Sequence, residues 1–357
     1  MRTSTTLMSV ALMALIVPAC ATAPTVSPTE DQYPAVAITA AFETPVMASE
    51  GDSADDPAIW IGTDGKGFIA ATDKQAGLYI YNLDGTQSDY MPVGTVNNVD
   101  LRPGFMFDGR AHVLMVMSND EINTVELVLY DLSNDRFYRP EGSSQPVGTL
   151  SPYGICLGRG VDGHHHLGVT TKAGRYEQFR VDVEGDRLTM QKRREFSTVM
   201  QTEGCAFDDR TQHLYLAQEV GDLLRYAASS RNGNEPTIIA EAGQFGMLAD
   251  LEGVTVYEDG DEGGYVLVSS QGNNSYAAFS LPGLDFAGRF TITDGAVDAV
   301  STTDGIAATS TPTEHFPQGF LVVQDDMDDT SPSERRKKQN LKVVDWRDIQ
   351  AVLDRTP

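Results

Sequence analysis

Residues 248–279 read LADLEGVTVYEDGDEGGYVLVSSQGNNSYAAF. Two apolar runs, 254–257 and 265–268, flank Asp259-Gly260, a pair suited to the tight turn of a β-hairpin because both residues tolerate positive φ. A third run, 275–279, follows a second polar break. The polar residues gather at one end. Asp250 and Glu252 stand where the first strand begins, and Gln271 where the second stops. In an antiparallel pair these two ends lie side by side, so the three side chains meet.

The pattern recurs along the chain. Segments starting at Asp55, Asn97, Ser151, Gln201 and Thr303 each show a polar residue, a short apolar strand, a turn, a second apolar strand and a polar end. With Asp56, Asn98, Tyr153, Glu203, Glu252 and Asp304 taken as equivalent, the steps are 42, 55, 50, 49 and 52 residues. Four antiparallel strands with their turns occupy about 40 to 50 residues, the size of one propeller blade. Asp64-Gly65, Asp108-Gly109 and Asp162-Gly163 fall between first and second strands, as Asp259-Gly260 does. The expectation is an all-β chain, a six-bladed β-propeller with four-stranded antiparallel blades. Residues 35–45 (AVAITAAFETP) supply a strand to close the ring against the last blade. Helical spacing occurs only in residues 343–353 (VVDWRDIQAVL), enough for one or two turns.

In a propeller the inner strand of each blade runs along the central axis and the second strand returns. First-strand starts and second-strand ends therefore share one face of the disc. The starts are Asp55, Asp56, Asn97, Asn98, Tyr153, Glu203, Asp250, Glu252 and Asp304; the ends are Lys74, Asn119, Asp120, Lys172, Glu219, Gln271 and Asp325. One mouth of the channel is thus ringed by carboxylates with two lysines among them. Bare carboxylates a few ångströms apart raise one another's pKa, and hard cations relieve that repulsion. A ligand set of oxygens alone suits Ca2+, which takes about six to eight of them, better than zinc or copper.

Overall charge agrees. Lys+Arg is 26 and Asp+Glu is 51, a net charge of −25. Such a field excludes nucleic acid and anionic lipid as partners, and disfavours any anionic ligand unless cations intervene. Calcium with lysines beside it suits a small molecule bearing several phosphates. No Gly-x-Ser-x-Gly, Walker loop or Cys–His pair offers a covalent nucleophile.

The N-terminus reads as an export signal: Arg2, an apolar run over 7–17, then small residues. Residues 17–20 (VPAC) resemble a lipobox, which would place a lipid on Cys20; the alternative is ordinary cleavage after an Ala-x-Ala site. The chain divides into a signal at 1–19, a tether at 20–33 and the propeller at 34–357. An exported protein is expected, as a periplasmic or outer-membrane lipoprotein or else secreted, and a monomer. Cys156 and Cys205, about 50 residues apart, read as buried small side chains rather than a bridge. Residues 164–166 (HHH) read as part of an exposed turn, and 333–340 (SERRKKQN) as a solvated loop.

Nine segments now stand in order: DDPAIW (55–60), LYIYNLDG (78–85), NNVDLR (97–102), YGICL (153–157), QTEGCAFDD (201–209), DLEGVTVY (250–257), SSQGNNSYAAF (269–279), ITDG with TTDGI (292–306) and NLKVVDW (340–346). Together they resemble the bacterial β-propeller phytases, across almost all of the chain after the tether. The resemblance implies hydrolysis of myo-inositol hexakisphosphate (phytate), presented as its calcium complex, with release of inorganic phosphate. A calcium-bound water attacks phosphorus directly in that family, without a phosphoenzyme, and several Ca2+ ions are bound. By motif match Tyr153, Glu203, Glu219, Asp250, Glu252, Gln271 and Asp304 carry the catalytic calcium and its water, with Asp55 beside them. Lys74 and Lys172 match phosphate-binding lysines, with Asn97 at the same mouth. Asp56, the carbonyls of Pro57 and Val99, and Asp298 with Asp325 match structural calcium positions. After residues 118–119 (SN) relatives carry an arginine where this chain has Asp120, and Arg175 is the candidate replacement. From the residues alone two other readings stay open: a six-bladed calcium lactonase or esterase, usually with one ion, and a non-catalytic binding propeller.

Overall fold

The computed structural model describes residues 32–148, 151–327 and 338–355. The expected signal, Cys20, nearly all of the tether and most of the basic run at 333–340 lie outside the described residues.

The described strands form six sheets, antiparallel except for one added edge strand, each entered from the inside. The inner strands are Ala54–Ile61, Val99–Phe107, Pro152–Arg159, Thr202–Asp208, Leu251–Asp259 and Ile306–Thr309, for blades one to six in turn. Neighbouring inner strands contact one another all the way round, from blade six back to blade one. The architecture is a six-bladed β-propeller. Asp108-Gly109 turns blade two with φ of 49° and 70°, the conformation expected of that hairpin pair.

The closing strand divides its work. Phe42–Glu43 lies antiparallel on Asn340–Asp345 and completes blade six, as expected. Val36–Thr39, which starts six residues earlier, pairs in parallel with Phe286–Thr293 and adds a fifth strand to blade five. One N-terminal segment thus covers the exposed edges of two blades, which removes templates for aggregation. The terminal helix Trp346–Leu353 begins at Asp345, whose side chain accepts a hydrogen bond from Arg347 N–H. It buries Trp346, Ile349, Val352 and Leu353, and the Trp346 ring stacks on Tyr257 with centroids 3.4 Å apart.

The core is not a single mass but a set of apolar layers between blades. Between blades one and two, Trp60, Phe68 and Tyr130 pack with centroids 5.1 to 5.4 Å apart. Burying such side chains contributes about 1.5–3 kcal/mol each. Second strands such as Arg110–Asn119 are buried along nearly their whole length because other blades cover both faces.

Two expectations are corrected. Cys156 and Cys205 are not separate thiols: they form a disulfide, with Cα atoms 5.3 Å apart. Spacing along the chain hid this, because the inner strands of blades three and four lie side by side in space. Of residues 164–166 only His164 is exposed in the turn. His165 and His166 already belong to the strand His165–Thr171, and His165 is buried with its ring against Phe105.

Candidate active site

A repeated irregularity aims the site residues. In blades one, three, four and five the pairing of the first two strands slips at the start of the inner strand. Two residues there oppose one, a β-bulge: Asp55-Asp56, Tyr153-Gly154, Glu203-Gly204 and Glu252-Gly253. In blade two, Asn97 N–H donates to Ser118 O while Ser118 N–H donates to Asn98 O, so Asn97-Asn98 occupies the same place. The first bulge residue carries the functional side chain. The second faces the next blade, and where it is glycine nothing larger fits. A Cβ on Gly154 would lie 1.8 Å from the Glu203 carbonyl oxygen, and one on Gly204 would lie 2.2 Å from that of Glu252. In blades three, four and five the glycine therefore seats the next blade's ligand.

This shifts one assignment. Asp55 and Asn97, rather than Asp56 and Asn98, are equivalent to Tyr153, Glu203 and Glu252. Asp56 and Asn98 hold the glycine position and use it. The Asp56 carboxylate accepts Val99 N–H at 3.0 Å across the seam, while Asn98 lies against the Asn97 and Glu203 side chains. Asp56, Pro57 and Val99, the expected structural calcium ligands, line one channel cavity of about 190 Å³.

At the mouth, Glu203, Glu219 and Glu252 each bring a carboxylate oxygen to within 4.8 Å of the others. Glu203 and Glu252 are buried. Burial, then the Glu203 charge, pushes the Glu252 carboxyl far above the usual range. Burial pushes Glu219 up to about 7, with Glu203 and Asp250 adding and a Gln201 hydrogen bond opposing. Glu252 Oε2 is buried without a hydrogen-bond partner. Asn97 Nδ2 donates to Glu203 Oε1 at 3.0 Å. Burial first, and then Glu203 and Glu252, hold the Tyr153 phenol protonated.

The trio continues into a second group. Lys74 Nζ lies 3.0 Å from Asp55, 3.1 Å from Asp304 and 2.9 Å from Asp52. Gln271 Nε2 donates to Asp304 Oδ1 at 2.7 Å. Burial raises Asp55 well above its ordinary pKa and Asp304 to about 6, with Lys74 offsetting both. Asp250 precedes the inner strand, and its carbonyl accepts Gln271 N–H. Lys172 Nζ stands 4.6 Å from the centre of the Tyr153 ring and 3.7 Å from Asp120. Lys74, Lys172, Asn97, Tyr153, Asp52 and Asp120 line a cavity of about 210 Å³ beside the carboxylates.

Two expected residues behave otherwise. Arg175 opens the third strand of blade three and is ion-paired with Glu177 at 3.3 Å and Glu195 at 2.9 Å, while Asp120 has Lys172 at 3.7 Å. Asp298 and Asp325 do converge, but around an ammonium. Lys342 Nζ lies 2.7 Å from each and 3.0 Å from Glu43. Burial lifts Asp325 to about 6 against the pull of Lys342. This geometry supplies the pair with an internal cation and does not require calcium between them.

Sequence reasoning missed Asp52, Gln201, Glu43 and Lys342. The first two flank the strand starts and ends that it counted. Lys342 left a usable sign: a lysine inside the apolar strand Asn340–Asp345 is buried on both faces and must have a counter-charge.

The donor set fits calcium. It offers oxygen only, it includes a buried carboxylate oxygen with no partner, and its pKa shifts show charge that cannot stand uncompensated. Residues 4–357 match the protein family described as Phytase. The chain is 34% identical over 332 residues to a 3-phytase of Bacillus subtilis (strain 168), covering 90% of this chain and 86% of that protein. A chain of Kuenenia stuttgartiensis hydrazine synthase shares 10% identity at a TM-score of 0.46, over 75% of this chain and 80% of that one, and carries no weight for function. A match over nearly the full length, with the mouth of a six-bladed propeller built from the matching motifs, leads to one conclusion: the chain belongs to the phytase family.

Proposed function

We propose that the protein is an exported, calcium-dependent phosphatase that removes phosphate from phytate. The observation that carries this reading is the meeting of Glu203, Glu219 and Glu252 beside a cavity holding two lysines. Glu203, Glu219, Glu252, Tyr153 and Asp250 would hold the catalytic calcium, and Asp55, Asp304 and Gln271 a neighbouring position. Bound calcium supplies positive charge to phosphate oxygens and lowers the pKa of water at the site.

The chain's own residues do the rest. Lys172 presents its ammonium to a phosphate from the open side, held over the Tyr153 ring. Lys74 is pinned by three carboxylates and offers a fixed point charge. Asn97 orients the Glu203 carboxylate, Gln201 that of Glu219, and Gln271 that of Asp304. These amides keep acceptor oxygens aimed at the mouth. Asp52 and Asp120 stand next to the lysines instead of an arginine, which favours substrate that arrives with bound cations over bare phytate.

For location, residues 1–19 act as the export signal and Cys20 as a lipid attachment point. Among the described residues no helix is long and apolar enough to cross a membrane.

Incubation of the purified protein with phytate and Ca2+ tests the function by release of inorganic phosphate. No release, or release unchanged by EDTA, overturns it. Calorimetric titration counts the active-site ions, and a single ion with no phosphate release would favour a lactonase.

A further inference from the structure

The ring has six seams between inner strands, and one is covalent. Elsewhere the seams are made by hydrogen bonds and close backbone contact. Asp56 reaches Val99 N–H, Ser118 Oγ donates to the Tyr153 carbonyl, and Gly305 N–H donates to Asp55 O at 3.0 Å. Between blades three and four the glycine contact of Gly154 with Glu203 is followed by the Cys156–Cys205 disulfide. Cys156 is three residues from Tyr153, and Cys205 is two from Glu203. Cys156 is fully buried, while Cys205 lines the channel cavity.

The seam's position has a physical consequence. Glu203 belongs to blade four, and its charge is repelled by Glu219, by Glu252 of blade five and by Asp55 of blade one. Ionised together without a cation, these carboxylates repel one another. The inner strands carrying Tyr153 and Glu203 are the pair held by a covalent bond. A ligand pair fixed before the ion arrives loses less conformational freedom on binding it.

We propose that the Cys156–Cys205 disulfide is a positioning device for the cation site. It holds the Tyr153 and Glu203 strands at binding distance while the site is empty of charge compensation, and so raises calcium affinity rather than turnover. The inference rests on the calcium reading above.

The test compares wild type with the double variant Cys156→Ala, Cys205→Ala, after alkylation and mass spectrometry establish that wild type has the bridge. Calcium titration by calorimetry is the first readout. Affinity should weaken roughly fivefold or more in the variant, the size of an ordinary coupling between linked sites. Phosphate release at saturating Ca2+ is the second readout and should stay within about twofold of wild type, with half-activation moved to higher Ca2+. If the variant fails to fold, wild type reduced under native conditions and checked by circular dichroism takes its place in the same titration. Equal calcium affinity with and without the bridge overturns this inference alone. No calcium binding by wild type overturns the calcium reading and this inference with it. Free thiols at Cys156 and Cys205 in the exported protein also overturn it.

Discussion

Within blade six, Glu43, Asp298 and Asp325 close on the buried ammonium of Lys342 at 3.0, 2.7 and 2.7 Å. At the channel mouth Glu203, Glu219 and Glu252 meet within 4.8 Å of one another, and none makes an ion pair among the described residues. Both groups gather three carboxylates from separate parts of the chain. One has its cation built in, and the other does not. A covalent cation cannot leave, so the blade-six cluster ties the closing strand to the ring. A mouth without one leaves room for an exchangeable ion, as proposed above. On the proposed reading, the difference separates a group that holds the ring shut from one that holds the catalytic ion.

Lys342→Met tests the comparison most severely. It removes the ammonium that faces buried Asp325 and the partly buried Glu43 and Asp298, and breaking a buried pair costs about 3–5 kcal/mol. Urea unfolding should show that loss or a failure to fold. Full rescue by millimolar Ca2+ would mean the cluster accepts calcium after all, and the two regions would no longer differ in kind.

Glu252→Gln is the matching change at the mouth. It keeps size and hydrogen bonding while removing one charge. Phytate hydrolysis should fall on the order of 100-fold or more, with little change in circular dichroism. Asp261→Asn, on the exposed turn after the same strand, is the control and should behave as wild type. Similar small effects from both would show that the convergence of acids at the mouth is incidental.

Calcium removal follows in size. A ligand present at about 1,000 times its Kd stabilises the folded state by about 4 kcal/mol. Thermal midpoint should fall with EDTA and return with Ca2+, and the Lys342 cluster should contribute nothing to that shift. Lys172→Ala should lower kcat/KM roughly 10- to 100-fold, the range for losing a charged hydrogen bond, without destabilising the protein.

The smallest effect concerns pH. Glu219 and Asp304 have folded-state pKa values raised to about 7 and about 6. A raised carboxyl favours the folded state at low pH, and that advantage is lost as pH rises through the folded pKa. The metal-free protein should therefore lose thermal stability between about pH 5 and pH 8, while the stabilisation given by Ca2+ grows over the same interval. A metal-free midpoint that rises over this range would contradict the shifts.

Much of this is legible in the sequence. The repeat length, the Asp-Gly turns and the alternation of short strands fixed the blade number, because four strands and their turns need a narrow range of chain length. The acids of the mouth were legible as strand starts and ends. The pairing of Arg175 with Glu177 and Glu195 was not legible, because it joins residues of two neighbouring strands. The bulges were invisible because they depend on how the first two strands pair and not on composition. They moved the equivalent position from Asp56 to Asp55 and from Asn98 to Asn97.

The sequence by itself determined the ring and the side of it that carries charge. These follow from periodicity and residue type, which are local. Tertiary structure decided the rest: the pairing of Cys156 with Cys205, the placement of Lys342 among Glu43, Asp298 and Asp325, and the seating of Glu203 and Glu252 against the previous blade's glycine. Each of these joins residues from different strands or blades. Distance along a chain does not fix distance in space until the ring has closed.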